Sequence, residues 1–219
     1  MIKKFINSPR LNTTQLFKKL FFALVLFWGP LGLFIALADE INSHKPIYLD
    51  IVILEWLYKF ATPTLDKTAI FITDLGSTAF ITSLTVMVSL VLYLQQKSLQ
   101  AVFLIFTAGG AALMNFVLKL IFQRERPTLW NTLVVESSYS FPSGHAMSSS
   151  ALAFALMALF WHTKWKWLTV VLGTLYFVTI GITRIYLGVH FPSDVLAGWC
   201  ISLAWVVIIY NIFLKNKVK

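Results

Sequence analysis

Six stretches of this chain, at about residues 20–38, 77–94, 99–122, 144–161, 167–185 and 195–214, stay predominantly apolar over roughly the 20 residues that an α-helix needs to cross a bilayer. In hydrocarbon every backbone polar group has to be satisfied within its own segment, so runs of this kind fold as helices. Together they take up most of the 219 residues. The expected fold is all-α, a polytopic membrane protein built as a six-transmembrane-helix bundle. A single membrane-embedded domain, 1–219, is expected, since no second domain, low-complexity stretch or internal repeat is left over. Charge content agrees: only 12% of residues are charged, against about 25% in soluble domains.

The formal net charge of +9 could suggest nucleic acid, but its distribution argues for topology instead. Lys3, Lys4, Arg10, Lys18 and Lys19 precede the first run, Lys97 follows the second, Lys164 and Lys166 follow the fourth, and Lys215, Lys217 and Lys219 follow the sixth. If the spans alternate, all of these lie on one side, which the positive-inside rule makes the cytoplasm, with both termini there. The other side receives Lys45, Lys59, Lys67, Lys119, Arg124, Arg126, Arg184 and all nine acidic residues. The expected location is a bacterial cytoplasmic membrane, and no nucleic-acid partner is expected. Ala36-Leu37-Ala38 resembles a signal-peptidase site, but the apolar run before it exceeds the 7 to 15 residues usual in a signal peptide, which favours an uncleaved anchor. Cys200, the single cysteine, lies inside the sixth run and forms no intrachain disulfide.

Between the first two runs, "LDIVILEWLYKFATPTLDK" is too interrupted to span. Ile51, Leu54, Leu57, Tyr58 and Ala61 form a helical stripe, with Glu55 and Lys59 four apart, so an interfacial amphipathic helix is expected there. It would serve as an anchor, or as a lid over an external site.

Three polar clusters interrupt the apolar pattern, each at the outer end of a span. Lys119 and Arg126 in "KLIFQRERP" are two helical turns apart and are expected on one face, with Pro127 ending the element. Pro142-Ser143-Gly144-His145 opens the fourth span. Arg184, His190 and Asp194 in "TRIYLGVHFPSD" join the fifth to the sixth. A lone Arg124 or Lys67 would read as a helix-end cation snorkelling to headgroups. Convergence of all three clusters is not required by that reading. Lys119, Arg126 and Arg184 side by side at the edge of low dielectric, with few carboxylates to offset them, are unfavourable unless an anion occupies the space between them.

Phosphate suits such a space: arginine forks bind it bidentately, lysine adds a point charge, and the N–H groups of Ser143 and Gly144 at a helix start add donors. A phosphoryl group held there can be attacked by a neutral imidazole whose other nitrogen is oriented by a carboxylate. His190 is the expected nucleophile, Asp194 its orienter, and His145 the general acid for the leaving oxygen.

These residues resemble the type 2 phosphatidic acid phosphatase family, membrane lipid phosphatases related in fold to vanadium haloperoxidases. The family pattern is Lys-x6-Arg-Pro, Pro-Ser-Gly-His and Ser-Arg-x5-His-x3-Asp; here Lys119, Arg126 and Pro127, then Pro142 to His145, then Arg184, His190 and Asp194 match it, with Thr183 in place of serine. The resemblance implies a phosphatase that needs no metal or other cofactor, works through a phosphohistidine, binds phosphate with Lys119, Arg126, Ser143, Gly144 and Arg184, and draws a phosphorylated lipid from the outer leaflet. Undecaprenyl pyrophosphate, phosphatidylglycerophosphate and phosphatidic acid are the candidate substrates. Two other classes are open to the same residues: metal-dependent hydrolysis with His145, His190 and Asp194 as ligands, and a non-catalytic lipid-headgroup binder or transporter. The surrounding cations disfavour the first, and a complete histidine and aspartate set has no use in the second.

Overall fold

Each apolar run is helical in the structure, a computed structural model that describes residues 13–43, 47–130 and 132–215. Lys3, Lys4, Arg10, Lys45, Lys217 and Lys219, which carry part of the topology argument, lie outside the described residues, as do the side chains of Lys18 and Lys19. In chain order the helices are α1 (Thr13–Ala23), α2 (Gly29–Asn42), α3 (Tyr48–Tyr58), α4 (Pro63–Asp74), α5 (Thr78–Leu94), α6 (Ser98–Phe122), α7 (Gly144–Phe160), α8 (Lys166–Tyr186) and α9 (Pro192–Phe213), with a π-helical turn, Leu24–Trp28, joining α1 to α2.

Four helical segments are long and apolar enough to cross a bilayer: Leu20–Asn42, Ser98–Phe122, Lys166–Tyr186 and Pro192–Phe213. The pair α4 and α5, bent by 44° where they meet, makes a fifth if taken as one span. Six were expected. The difference lies in α5 and α7, each apolar but only 17 residues long, about 25 Å at 1.5 Å per residue; α5 is made up by α4 and α7 is not.

α7 is the axis of the bundle, packed against α8, α9, α6 and α5. Its residues Ala146, Ser149, Ser150, Ala151, Ala153 and Ala155 are buried, and their small size lets neighbouring backbones come close, which is how helices pack where lipid gives no hydrophobic drive. The hydroxyls in this apolar setting stay satisfied: Ser150 Oγ donates to Ala146 O at 2.7 Å, and Ser202 Oγ of α9 donates to Met147 O at 2.8 Å. Gly198 permits a close approach of α9 to α7, since a Cβ there would stand 3.1 Å from Ser143 O and 3.2 Å from Met147 N. Outward-facing Val86, Met87, Leu90, Phe106, Phe116, Val171 and Leu175 leave the flanks of α5, α6 and α8 apolar and exposed, a surface suited to lipid.

The segment expected as one interfacial helix is two helices with different partners. Thr62 caps α4, accepting from Leu65 N at 3.3 Å, and Pro63 occupies its first turn, which sets the break after α3. Ile51, Leu54 and Leu57 do turn inward, but Tyr58 is exposed, and Ala61 lies exposed between the helices. α3 buries Asp50 and Leu54 against α8 and α9. It is thus held to the bundle by a carboxylate as well as by apolar contact. The break between α4 and α5 also has a local cause: Tyr176 donates to Leu75 O at 2.7 Å, and Ser77 caps α5 by accepting from Phe80 N at 3.3 Å.

Candidate active site

The site is assembled from the ends of four helices and the loop 123–143. Lys119 occupies the last turn of α6. That helix stops at Phe122, where Gln123 takes a left-handed conformation (φ 44°), so Arg126 is in the loop and not on the helical face expected of it. The two cations meet because the loop folds back. Lys119 Nζ donates to Ser138 Oγ at 2.8 Å, and Arg126 donates to Ser138 O at 2.8 Å and to Val189 O at 2.6 Å.

Arg184, in the last turn of α8, is almost wholly buried and donates to Thr73 Oγ1 of α4 at 3.0 Å. Its Nη2 pairs with Glu136, which also lies 3.7 Å from Arg126. The space between the cations therefore holds a carboxylate supplied by the loop, where the spacing of the motifs predicts few. Burial alone would raise the Glu136 pKa; the charges of Arg184 and Arg126 outweigh that and hold the carboxyl below its usual range. Arg184 Nε has no hydrogen-bond partner among the described residues, a buried donor still free for an anion.

His190 follows Gly188 and Val189 in the loop between α8 and α9 and is 1% exposed. Arg126 Nη1 is 3.2 Å from His190 Nε2. A guanidinium only donates, so Nε2 accepts and the ring proton belongs on Nδ1. Nδ1 faces Ser140 Oγ at 3.3 Å and Asp194 Oδ2 at 3.5 Å, while Ser140 Oγ donates to the same Oδ2 at 2.5 Å. Asp194 thus stands beside His190 Nδ1, with the Ser140 hydroxyl within reach of both. Asp194 in turn accepts from Phe191 N at 2.9 Å, which fixes it on the first turn of α9. Burial, and then the charges of Arg184, Arg126 and Lys119, push the His190 pKa well below its ordinary value, so the ring is neutral.

The Pro-Ser-Gly-His turn is placed by α6 and α9. Asn115 of α6 donates to Pro142 O at 3.0 Å, and a Cβ on Gly144 would stand 3.0 Å from Asn115 Oδ1, so the glycine makes room for this asparagine. Ser143 departs from expectation. It is fully buried, its N–H donates to Asp194 O at 3.1 Å, and its hydroxyl caps α7 by accepting from Ala146 N at 3.4 Å. Its amide is therefore engaged, and since the Ala146 and Met147 amides donate to Ser143 Oγ and O, the amides of Gly144 and His145 are left as the helix-start donors. His145, partly buried, lies against Gly76 in the α4–α5 turn and within electrostatic reach of Arg184, Glu136, Lys119 and Arg126.

All eight residues expected from the sequence stand in this one region. Several others were missed: Glu136, Ser138 and Ser140 from the loop, Asn115 and Thr73 from the helices, and Arg124 with Asp50. Arg124 does not snorkel to headgroups; it forms ion pairs with Asp194 at 2.5 Å and Asp50 at 2.8 Å. An acid on the inward stripe of α3, four residues before the buried Leu54, was the available signal for that pair.

The chain is 32% identical over 176 residues to phosphatidylglycerophosphatase B of Bacillus subtilis, covering 78% of this chain and 86% of that protein. It is 30% identical over 144 residues to undecaprenyl-diphosphatase BcrC of the same organism, covering 64% of this chain and 70% of that one. Among solved structures, the PAP2-type phosphatidylglycerolphosphate phosphatase from Bacillus subtilis superposes with a TM-score of 0.76 at 29% identity, over 87% of this chain and 97% of that one. The model of the PAP2 superfamily matches residues 99–217, the stretch that carries every one of the three polar motifs. With the histidine, aspartate and cation geometry in place and these likenesses along most of its length, the chain belongs to the PAP2 superfamily.

Proposed function

We propose that this protein hydrolyses a phosphomonoester or diphosphate of a membrane lipid at the non-cytoplasmic face, through a phosphohistidine on His190 and without a metal. The observation that carries this reading is the state of His190: neutral, its Nδ1 proton turned toward Ser140 and Asp194, and its Nε2 lone pair turned toward Arg126 among the phosphate-binding cations. An incoming phosphate displaces Glu136 from Arg184 and Arg126 and takes the free Arg184 Nε. It is then held by Lys119, Arg126, Arg184 and the helix-start amides of Gly144 and His145. Ser143 shapes that helix start as its cap.

His190 Nε2 attacks phosphorus, the P–O bond to the lipid breaks, and His145 gives a proton to the leaving oxygen. Water then attacks the phosphohistidine, His145 takes its proton, and inorganic phosphate departs. Asp194 stabilises the imidazolium formed in between.

A bilayer crossing by α7 and by the bent α4–α5 pair, added to the four long spans, gives the six-span arrangement with both termini in the cytoplasm. The site then faces the periplasm or exterior, and the chain acts as one domain. The relatives' names point to phosphatidylglycerophosphate and undecaprenyl diphosphate as lipids to try, with phosphatidic acid as the simplest monoester. Purified protein assayed on these three lipids tests the reading: phosphate is released from at least one, and His190→Ala abolishes it. Full release by His190→Ala would overturn it.

A further inference from the structure

Arg124 belongs to an ion network that the scheme above does not use. One guanidinium nitrogen, Nη1, donates to Asp194 Oδ1 at 2.5 Å and to Ser193 Oγ at 2.7 Å; the other, Nη2, donates to Asp50 Oδ2 at 2.8 Å. Asp50, in the first turn of α3, accepts from Ser193 N at 2.8 Å and from Ser193 Oγ at 2.6 Å, so it also takes up an amide at the start of α9. The guanidinium lies over the Phe191 ring, 4.1 Å from its centroid. Asp50, Ser193 and Asp194 are buried, and the Arg124 side chain is 14% exposed.

These contacts divide the work of the Asp194 carboxylate. Oδ2 serves His190, Ser140 and the Phe191 amide, and Oδ1 is held by Arg124 alone among the described residues. Without Arg124, a buried carboxylate loses its counter-charge and the tether on Oδ1, so its plane is held from the Oδ2 side alone, by Ser140 and the Phe191 amide. Asp50 holds the Arg124 fork in place. None of the polar partners of Arg124 is Lys119, Arg184 or Glu136, so the network stands behind the histidine and apart from the phosphate pocket.

We propose that Arg124 and Asp50 are positioning residues that set the orientation of His190 through Asp194, so that the docking of α3 on the bundle is coupled to the competence of the nucleophile. This rests on the reading of His190 as the nucleophile.

The test is a mutant cycle on the purified full chain, using the lipid that the wild type hydrolyses fastest. Arg124→Gln and Asp50→Asn each lower kcat by about 10- to 100-fold, the usual loss for residues that orient a reacting group from behind, and change KM by less than about threefold. Introduced into Asp194→Asn, the same changes cost less than about threefold more, because their route of action is already gone. Arg124→Lys, which keeps the charge and loses the fork, falls in between. Full multiplication of the losses in the Asp194→Asn background, or a rise in KM with kcat unchanged, overturns the proposal. Where Arg124→Gln does not yield folded protein, Asp50→Asn carries the cycle, since asparagine can still accept from the Ser193 amide. His190→Ala is run in parallel: its full activity would defeat the nucleophile assignment itself, whereas an inactive His190→Ala beside multiplicative losses defeats only the positioning role.

Discussion

His190 Nδ1 and Asp194 Oδ2 stand 3.5 Å apart, and the Ser140 hydroxyl is 3.3 Å from the first and 2.5 Å from the second. The imidazole is therefore held by a hydroxyl and a carboxylate together. Replacing Ser140 by alanine leaves Asp194 to orient the ring at a longer distance, so kcat should fall by about 3- to 30-fold, whereas Asp194→Asn should cost about 10³-fold or more. Steady-state kinetics on the two variants check this; equal losses would mean that the carboxylate contributes no more than the hydroxyl and would contradict its role in charge stabilisation.

Glu136 pairs with Arg184 and Arg126, two of the cations to which phosphate binding is assigned in the proposed reaction. Glu136→Gln removes this internal competitor, so vanadate, which mimics a five-coordinate phosphoryl group, should inhibit about 3- to 10-fold more tightly. The same change leaves the buried Arg184 with a neutral partner and should lower thermal stability in detergent, and added vanadate should restore more of it than in the wild type. Dose-response curves and melting curves on both proteins read the two effects, and weaker vanadate binding in the variant would contradict the competition.

The legible part of the site was the part encoded in covalent spacing. Lys119, Arg126, the Pro142 to His145 turn, Arg184, His190 and Asp194 could be gathered because each falls near the end of an apolar run, and alternation of the runs puts those ends together. What the apolar pattern could not show was how loop 123–143 folds back. The meeting of Lys119 with Arg126 depends on Ser138, and the counter-charge for Arg184 depends on Glu136. Helical periodicity predicts neither, since both partners are far from the helix they complete. Arg124 was misjudged for the same reason: its partners Asp50 and Asp194 are 74 and 70 positions away. The break at Leu75 to Ser77 was hidden because α5 alone satisfies the apolar pattern, while the preceding helix with its Asp66, Lys67 and Asp74 does not.

The buried, neutral His190 makes the protein sensitive to acid. In the unfolded chain this histidine binds a proton as pH falls through about 6.5, whereas burial and the neighbouring cations hold the native ring neutral to well below that value. The unfolded state then binds more protons than the native state, so stability falls as pH drops below about 6.5 and is recovered above it. Melting temperatures of wild type and His190→Gln between pH 7.5 and pH 5, a range of about two and a half units about the ordinary histidine value, should diverge, the wild type declining more steeply. Parallel curves would show that His190 is not the group responsible.

Leaving-group chemistry separates the two histidines. A lipid alcohol leaves poorly unless it is protonated, whereas phosphate leaves from a diphosphate with less help. His145→Ala should therefore slow phosphatidic acid hydrolysis by about 10-fold or more beyond its effect on undecaprenyl diphosphate hydrolysis. Equal losses on the two lipids would contradict the acid role of His145.

The most direct measurement is rapid acid-free quenching of the protein during turnover of a lipid labelled with ³²P in the transferred phosphate, followed by peptide mapping. Label stable to base, labile to acid, and confined to the peptide containing His190 is expected, at an occupancy that rises in His145→Ala turning over the diphosphate, whose leaving group needs little protonation while the water step still needs the base. Turnover with no label on that peptide, or the same label in His190→Ala, would contradict attack by His190 and with it the chemistry assigned to this cluster of cations and imidazoles.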